Sequence, residues 1–350
     1  MTHQECDGHN LLACPVDGLE LNEAGEGLKC EKGHSYPIVQ GVPVLLRGDV
    51  EETIGLAARS LSLAYDWARG VRKDPFFIET LGISDQQKEQ VRSVYASGES
   101  RIDPVISFLV GATNGILYKN VIGQLDRIPL PELRLPLGEG RRILDVGCSW
   151  GRWSMAAAAK GYQPVGIDPS LGAVLAAKRL ATTLGLPFEG VVADARYLPF
   201  KRNVVDAAFS YSVLQHFSKP DARQAFEEIA RVTRPGGTMK IQMASSIGVR
   251  SFQHIVRRRF REPMKFEVRY WTPWELLDAF RDAFGNAELE VDCYFGLGLQ
   301  SSDIELYSPP MRSLVKLSEL LRRTSTIVRP LAYMADSIYL TARNSPQHFE

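Results

Sequence analysis

The chain has 350 residues and is 45% hydrophobic, enough to bury a sizeable core and to hold more than one domain. Lys+Arg and Asp+Glu each number 41, so the formal net charge is zero, and no global positive field points to nucleic acid or to an anionic membrane. The cysteines, Cys6, Cys14, Cys30, Cys148 and Cys293, are too sparse and uneven for a disulfide scaffold, and a reducing cytoplasm is the expected compartment.

The N-terminus, MTHQECDGHN, has no basic stretch followed by an apolar one, so no secretory leader is expected. His3, Cys6 and His9 have no convincing ligand spacing and read as a tail. Residues 10–48 are dense in Gly, Pro and short β-like runs (Tyr36–Val39, Val42–Leu46) and predict a small strand-and-turn module. Within it, Cys14-Pro15-Val16-Asp17 and Cys30-Glu31-Lys32-Gly33-His34 place Cys14, Asp17, Cys30 and His34 on two knuckles, the spacing of a zinc ribbon. Residues 50–137 predict a helical region, with helices over Glu51–Arg69, Asp85–Ser97 and Pro104–Leu125, then a proline-rich linker over Pro129–Gly138. The longest apolar stretch, Val105–Leu117, carries Gly and Asn and is too short to span a bilayer, so no membrane partner is expected.

From residue 138 to 343 the texture changes again. Strands are predicted at Arg142–Val146, Pro164–Ile167, Gly190–Ala193, Val205–Ser210, Thr238–Met243, Glu288–Tyr294 and Ser337–Ala342. Helices are predicted at Trp150–Lys160, Ser170–Leu184 and Asp221–Thr233, and Thr272-Pro273-Trp274-Glu275 opens another with a capping box. This alternation is that of an α/β fold with a parallel sheet covered on both faces, interrupted by insertions at 244–271 and 296–335.

Ligands of such sheets bind beyond the carboxyl ends of the strands. Asp145 stands at one such end, ahead of a turn from Gly147 to Gly151, whose glycines admit close backbone approach and whose following helix offers unpaired N–H groups. The next strands end at Asp168, Asp194 and Ser210-Tyr211. A single acid there commonly caps a helix; three in succession point to a ligand with several hydrogen-bond donors. A nicotinamide-binding fingerprint is disfavoured, because Ser149 and Arg152 occupy positions that G-x-G-x-x-G reserves for glycine.

Ile143–Trp153, Gly166–Pro169, Val192–Phe200, Asp206–Phe217 and Arg231–Gly237 resemble class I S-adenosylmethionine-dependent methyltransferases, in the broad subgroup acting on small molecules. The resemblance implies a Rossmann-like seven-stranded sheet with its last strand antiparallel. It further implies that Asp145, Gly147, Cys148 and Gly151 surround the methionyl part of S-adenosylmethionine, that Asp168 holds the ribose, and that Asp194 and Ala195 meet the adenine. Ser149, Arg152 and Pro169 are counted with them, and Ser210 and Tyr211 would line the methyl-transfer pocket. Arg234-Pro235-Gly236-Gly237 matches the family's turn before the fifth strand. Residues 11–48 resemble a zinc-ribbon-derived domain found alone as a methyltransferase activator or fused ahead of methyltransferases. Asp17 stands where a second cysteine is expected, which leaves two readings, a bound zinc or a ribbon held by its small core.

A sulfonium methyl is already activated, so alignment supplies much of the catalysis and a base is needed only if the acceptor must lose a proton. His216 is either that base or a histidine that packs its loop. The leading expectation is a methyltransferase for a small-molecule acceptor, oxygen ahead of nitrogen or carbon. Rivals are an rRNA or tRNA enzyme using the ribbon and the run Arg257–Arg261, and a non-catalytic scaffold. Acids within the ribbon (Glu20, Glu23, Glu26, Glu31) argue against nucleic acid. The insertion 296–335, with an amphipathic run at Met311–Arg323, either closes the acceptor pocket together with the helical cap or forms a homodimer interface.

Overall fold

The computed structural model describes residues 8–25, 27–50, 55–71, 74–113, 116–264 and 266–345. His3, Cys6 and the first residues of the helix expected from Glu51 lie outside them. Near the N-terminus β1 (Asn22–Ala24), β2 (Gly27–Lys29), β3 (Ser35–Val39) and β4 (Val42–Pro43) form an antiparallel sheet in chain order. The helical region follows as α1 (Leu56–Ala68), α2 (Asp85–Ser97) and α3 (Pro104–Thr113). The helix expected over Pro104–Leu125 ends at Thr113, and the chain returns through a 3-10 turn over Ile116–Val121. Gly111 permits the return: a Cβ there would stand 2.3 Å from the Ile122 side chain, and Gly123 donates its N–H to the Ser107 carbonyl at 3.1 Å.

The larger layer consists of β5 (Arg142–Val146), α4 (Arg152–Ala159), β6 (Gln163–Asp168), α5 (Leu171–Leu184), β7 (Glu189–Val192), β8 (Val205–Ser210), α6 (Lys219–Val232) and β9 (Thr233–Ala244). It continues through α7 (Val249–Arg257), α8 (Pro273–Phe284), β10 (Glu288–Cys293), α9 (Pro309–Ser325) and β11 (Ser337–Arg343). The seven strands lie in the order β10-β11-β9-β8-β5-β6-β7, with β11 antiparallel to both neighbours. Ile143, Leu144 and Val146 of β5 are buried because the strand is covered on both faces, and each such side chain contributes about 1.5–3 kcal/mol. The capping box at Thr272 and Glu275 forms as the spacing predicts. β9 begins at Thr233 rather than Thr238, taking in Arg234–Gly237, and its pairing with β8 shifts register between Val205 and Ala207.

Two segments differ in role from their sequence texture. The N-terminal sheet is joined to the large one: Leu45 donates its N–H to the Val192 carbonyl at 2.8 Å, and Ala13 donates to the Pro199 carbonyl at 2.9 Å. Leu28, Cys30, Tyr36 and Leu45 share one apolar cluster with Leu144, Val165 and Val191. β7 is one of the two edge strands of the large sheet, so the ribbon covers an edge that would otherwise be open to wrong pairing. The proline-rich stretch is a strap rather than a free linker. Leu133 and Leu135 bury themselves against Trp153, Tyr162 and Phe209, and Lys160 and Tyr162 bond the Leu133 and Pro136 carbonyls at 2.8 and 3.1 Å. Among the described residues no helix is long and apolar enough to cross a membrane.

Candidate functional site

The turn after β5 carries Gly147, Ser149 and Gly151 in left-handed conformations, φ 76°, 47° and 84°. A Cβ on Gly147 would meet Val213 at 2.3 Å, and one on Gly151 would meet the Ala177 Cβ at 2.8 Å, so glycine is required by space as well as by φ. The N–H groups of Gly147 and Cys148 both reach the Ile167 carbonyl at 2.8 Å, which ties the turn to β6. The Cys148 side chain is buried beside Gly166 and Phe188, which leaves only its backbone for the turn's open side.

Parallel register brings the expected acids to one edge, with Val146 opposite Ile167 and Ser210, and Asp168 opposite Val192. Asp145 accepts the Ser154 hydroxyl at 2.6 Å and is buried, which raises its carboxyl to about 7. Asp168 accepts the Ser149 and Ser170 N–H groups at 3.0 and 2.9 Å; burial outweighs these bonds and raises it to about 6. Pro169 follows it half-buried, and its carbonyl accepts the Ser60 hydroxyl of α1 at 2.7 Å. Asp194 is clasped by Arg196, with N···O distances of 2.7–3.2 Å, and Ala195 between them is buried. The Ser210 hydroxyl donates to the Val146 carbonyl at 2.9 Å, locking β8 against β5.

Arg152, expected at the cofactor, is buried and donates to Asp303 and to the Tyr118 hydroxyl (3.3 Å) and Pro129 carbonyl (3.1 Å). It thereby joins α4 to the helical cap and to the insertion. Trp150 donates its ring N–H to the Thr113 hydroxyl at 3.1 Å, a second tie to the cap. Tyr211 is embedded in a polar network that sequence reasoning missed. Its hydroxyl donates to Asp292 and accepts from the Gln300 amide, both at 2.7 Å. Asp292 also accepts the Ser337 hydroxyl at 2.7 Å, and Gln242 accepts the Ser212 N–H at 2.7 Å. Burial, reinforced by Asp292, holds the Tyr211 phenol well above its usual value, so it remains a donor. The available signal was weak: Gln242 and Asp292 stand between apolar neighbours (Ile241 and Met243, Val291 and Cys293), but the same strands carry other polar residues such as Lys240, Glu288 and Glu290.

His216 is the last residue of a 3-10 turn, Leu214–His216, beyond β8. Its ring lies flat on Phe266 at 3.9 Å, and its Nδ1 is 2.8 Å from the Phe266 carbonyl. A carbonyl only accepts, so Nδ1 carries the hydrogen and Nε2 keeps the lone pair. Burial lowers the ring to about 4, so it is neutral at pH 7.

In the ribbon, one ligand-capable atom from each of Cys14, Asp17, Cys30 and His34 lies within 4.8 Å of all the others. His34 Nδ1 is 3.0 Å from Asp17 Oδ2 and 3.4 and 3.5 Å from the sulfurs of Cys30 and Cys14. Zinc bonds of about 2.0–2.3 Å at tetrahedral angles need ligand separations of about 3.3–3.8 Å. The nitrogen–sulfur separations and the 3.5 Å from the Cys30 sulfur to Asp17 fall in that range, and the 3.0 Å pair of His34 and Asp17 is shorter. Two sulfurs, a nitrogen and an oxygen are a donor set that ion takes. Burial alone would raise Asp17, but hydrogen bonds from Cys14, the Leu19 N–H, Cys30 and His34 outweigh it and bring the carboxyl to about 2.

Comparison with known families decides the nature of the large layer: residues 143–237 match the model of a methyltransferase domain. This part of the chain is a methyltransferase domain. It is 34% identical over 109 residues to the tRNA (carboxymethyluridine(34)-5-O)-methyltransferase of Arabidopsis thaliana, covering 30% of this chain and 24% of that protein. It is 33% identical over 102 residues to the demethylmenaquinone methyltransferase of Renibacterium salmoninarum, covering 29% and 40%. The chain thus spans less than half the length of the curated relatives it matches. Among solved structures, a complex of the Haloferax volcanii Trm112 methyltransferase activator with a methyltransferase is similar at TM-score 0.43 and 20% identity, covering 62% of this chain and 87% of that one.

Proposed function

We propose that the chain is an S-adenosylmethionine-dependent methyltransferase for a small-molecule acceptor, with oxygen the favoured acceptor atom. The observation that carries this reading is the single edge shared by the Gly147–Gly151 turn, Asp168 and Asp194. The cofactor fits what is there. Gly147 and Gly151 let the left-handed turn close against Val213 and Ala177 with its backbone bare, and Asp168 retains a carboxylate whose burial is only partly offset by its two N–H donors. In this reading Asp168 accepts the ribose hydroxyls, and Asp194 with Ala195 borders the adenine. The backbone of Gly147, Cys148 and Ser149 and the first turn at Gly151 and Arg152 flank the methionyl end, with Asp145 holding the turn through Ser154. When bound, S-adenosylmethionine supplies an already activated methyl group.

The protein's own task is then to align an acceptor and exclude water. Tyr211 faces that task with its phenol oriented by Asp292 and Gln300, the latter from the insertion. Arg152, Asp303 and Tyr118 close cap and insertion over the same edge, which favours a small acceptor over folded RNA. His216 keeps its Nε2 lone pair at pH 7, but a ring that burial lowers to about 4 is a weak proton acceptor, which favours a packing role against Phe266 over that of a base. The donor set of the ribbon would hold a structural zinc through Cys14, Asp17, Cys30 and His34.

Calorimetry with S-adenosylmethionine tests the cofactor assignment. Asp168→Ala should weaken binding more than tenfold, since a hydrogen bond to a charged group contributes about 1.5–3 kcal/mol. Equal affinity in wild type and variant removes the ribose assignment. The similarity to a tRNA enzyme supports a second reading, methylation of RNA. It predicts methyl incorporation from labelled cofactor into bulk tRNA, whereas the small-molecule reading predicts none.

A further inference from the structure

We propose that residues 247–266 form an in-plane docking arm for an anionic lipid bilayer. The segment leaves β9 on the active-site edge: Ser245 bridges Trp271, and Arg269 and Phe266 pack on the Gln215–His216 loop. Its helix, α7, meets the body where Ser251 is buried and donates its N–H to Asp336 at 2.7 Å, and where His254 lies 2.9 Å from the Tyr270 hydroxyl. At 100° per residue, Val249, Phe252 and Val256 form a stripe well away from Ser251. That stripe is exposed: Val249 is 61%, Phe252 54% and Val256 45% accessible. Beyond the helix, Arg259 and Phe260 both hold left-handed conformations (φ 53° and 56°), strain that leaves Phe260 at 69% exposure. Met264 and Phe266 extend the apolar surface at 60% and 49%.

Cations flank this stripe. The described residues of this segment include Arg250, Arg257, Arg258, Arg259 and Arg261 against the single acid Glu262, and Glu267 just beyond it pairs with Arg258 and Arg261 at 3.7 and 2.9 Å. Among the described residues Arg257 and Arg259 form no ion pair, and Arg250 and Arg257 project from the helix beside the apolar stripe. An apolar face that inserts below lipid phosphates while arginines pair with them is the arrangement of an interfacial helix. The neutrality of the whole chain and the lack of a spanning helix among the described residues do not bear on a helix lying in the interface plane, and here the proposal departs from the expectation of no membrane partner. RNA would use the arginines and the phenylalanines but not the exposed Val249, Val256 and Met264. A second copy seated face to face would bring like charges together along both rims.

The test is flotation of the full chain with vesicles of phosphatidylcholine alone or mixed with phosphatidylglycerol, in the absence of cofactor. Docking is thereby read independently of methyl transfer. The mixed vesicles should carry the protein at least about tenfold better than the neutral ones. Phe252→Glu/Phe260→Glu and Arg257→Glu/Arg259→Glu should each abolish flotation. Both pairs are exposed, so unchanged thermal melting and cofactor affinity should accompany the loss. The proposal is overturned by absent flotation of the wild type or by flotation that both variants retain. Binding to homopolymeric RNA that needs the arginines but not the phenylalanines, without vesicle binding, would assign the arm to RNA. Dimerisation lost in Phe252→Glu/Phe260→Glu, again without vesicle binding, would assign it to a second copy.

Discussion

Asp168 sets the pH response expected of the site. Burial raises its carboxyl from an ordinary 3.8 to about 6 in the ligand-free protein, whereas ribose hydroxyls would donate to the ionised form. Cofactor affinity should therefore be full above about pH 7 and fall by about tenfold per pH unit below 6, checked by calorimetry between pH 5 and 8. Folding responds with the opposite sign. Asp145 and Asp168 both have raised values, so the stability they contribute is fully present in acid below 3.8 and is lost as pH rises through about 6 and 7. Ser149 is the other residue with a local consequence. It occupies a left-handed conformation at φ 47°, which disfavours a side chain by about 1–2 kcal/mol, and its N–H, not its hydroxyl, bonds Asp168. Ser149→Gly should keep cofactor affinity and raise stability by up to about 1 kcal/mol in urea unfolding, the flexibility of unfolded glycine offsetting part of the gain.

Among the elements, the ribbon illustrates what local spacing reveals and what it hides. The two knuckles were legible because C-x2-D and C-x3-H are local patterns, and Cys14, Asp17, Cys30 and His34 do converge. Zinc should copurify at about one ion per chain by elemental analysis, and Cys30→Ser should release it while Asp17→Cys tightens it, thiolate being the softer ligand. Hidden in the sequence was the attachment of this sheet to β7, because backbone hydrogen bonds such as Leu45 to Val192 carry no side-chain signature. The break after Thr113 was hidden for a related reason. The apolar run continues past Thr113, and only the contact between Gly111 and Ile122 shows that the chain has turned back.

Across the molecule, Arg152 and Asp303 join residues far apart in the chain inside the core, with side chains only 7% and 1% accessible. Asp303→Leu strands a buried guanidinium and should cost about 3–5 kcal/mol in urea unfolding, whereas Arg152→Met combined with Asp303→Leu should recover most of it. Deleting the whole insertion would strand the same charge, so point changes at Gln300 or Tyr211 report on the acceptor pocket more cleanly. The sequence alone determined the alternating strands and helices, the capping box at Thr272, the glycine turn and the acids at three strand ends. These are short-range facts, written in the period of side chains along one segment and in the conformations glycine allows. Tertiary structure alone decided that Leu133 and Leu135 are a buried strap, that Asp292 and Gln300 orient Tyr211, and that Arg152 turns to Asp303. Each depends on which distant segment arrives opposite a residue, and that is set by the packing of whole layers rather than by any local pattern.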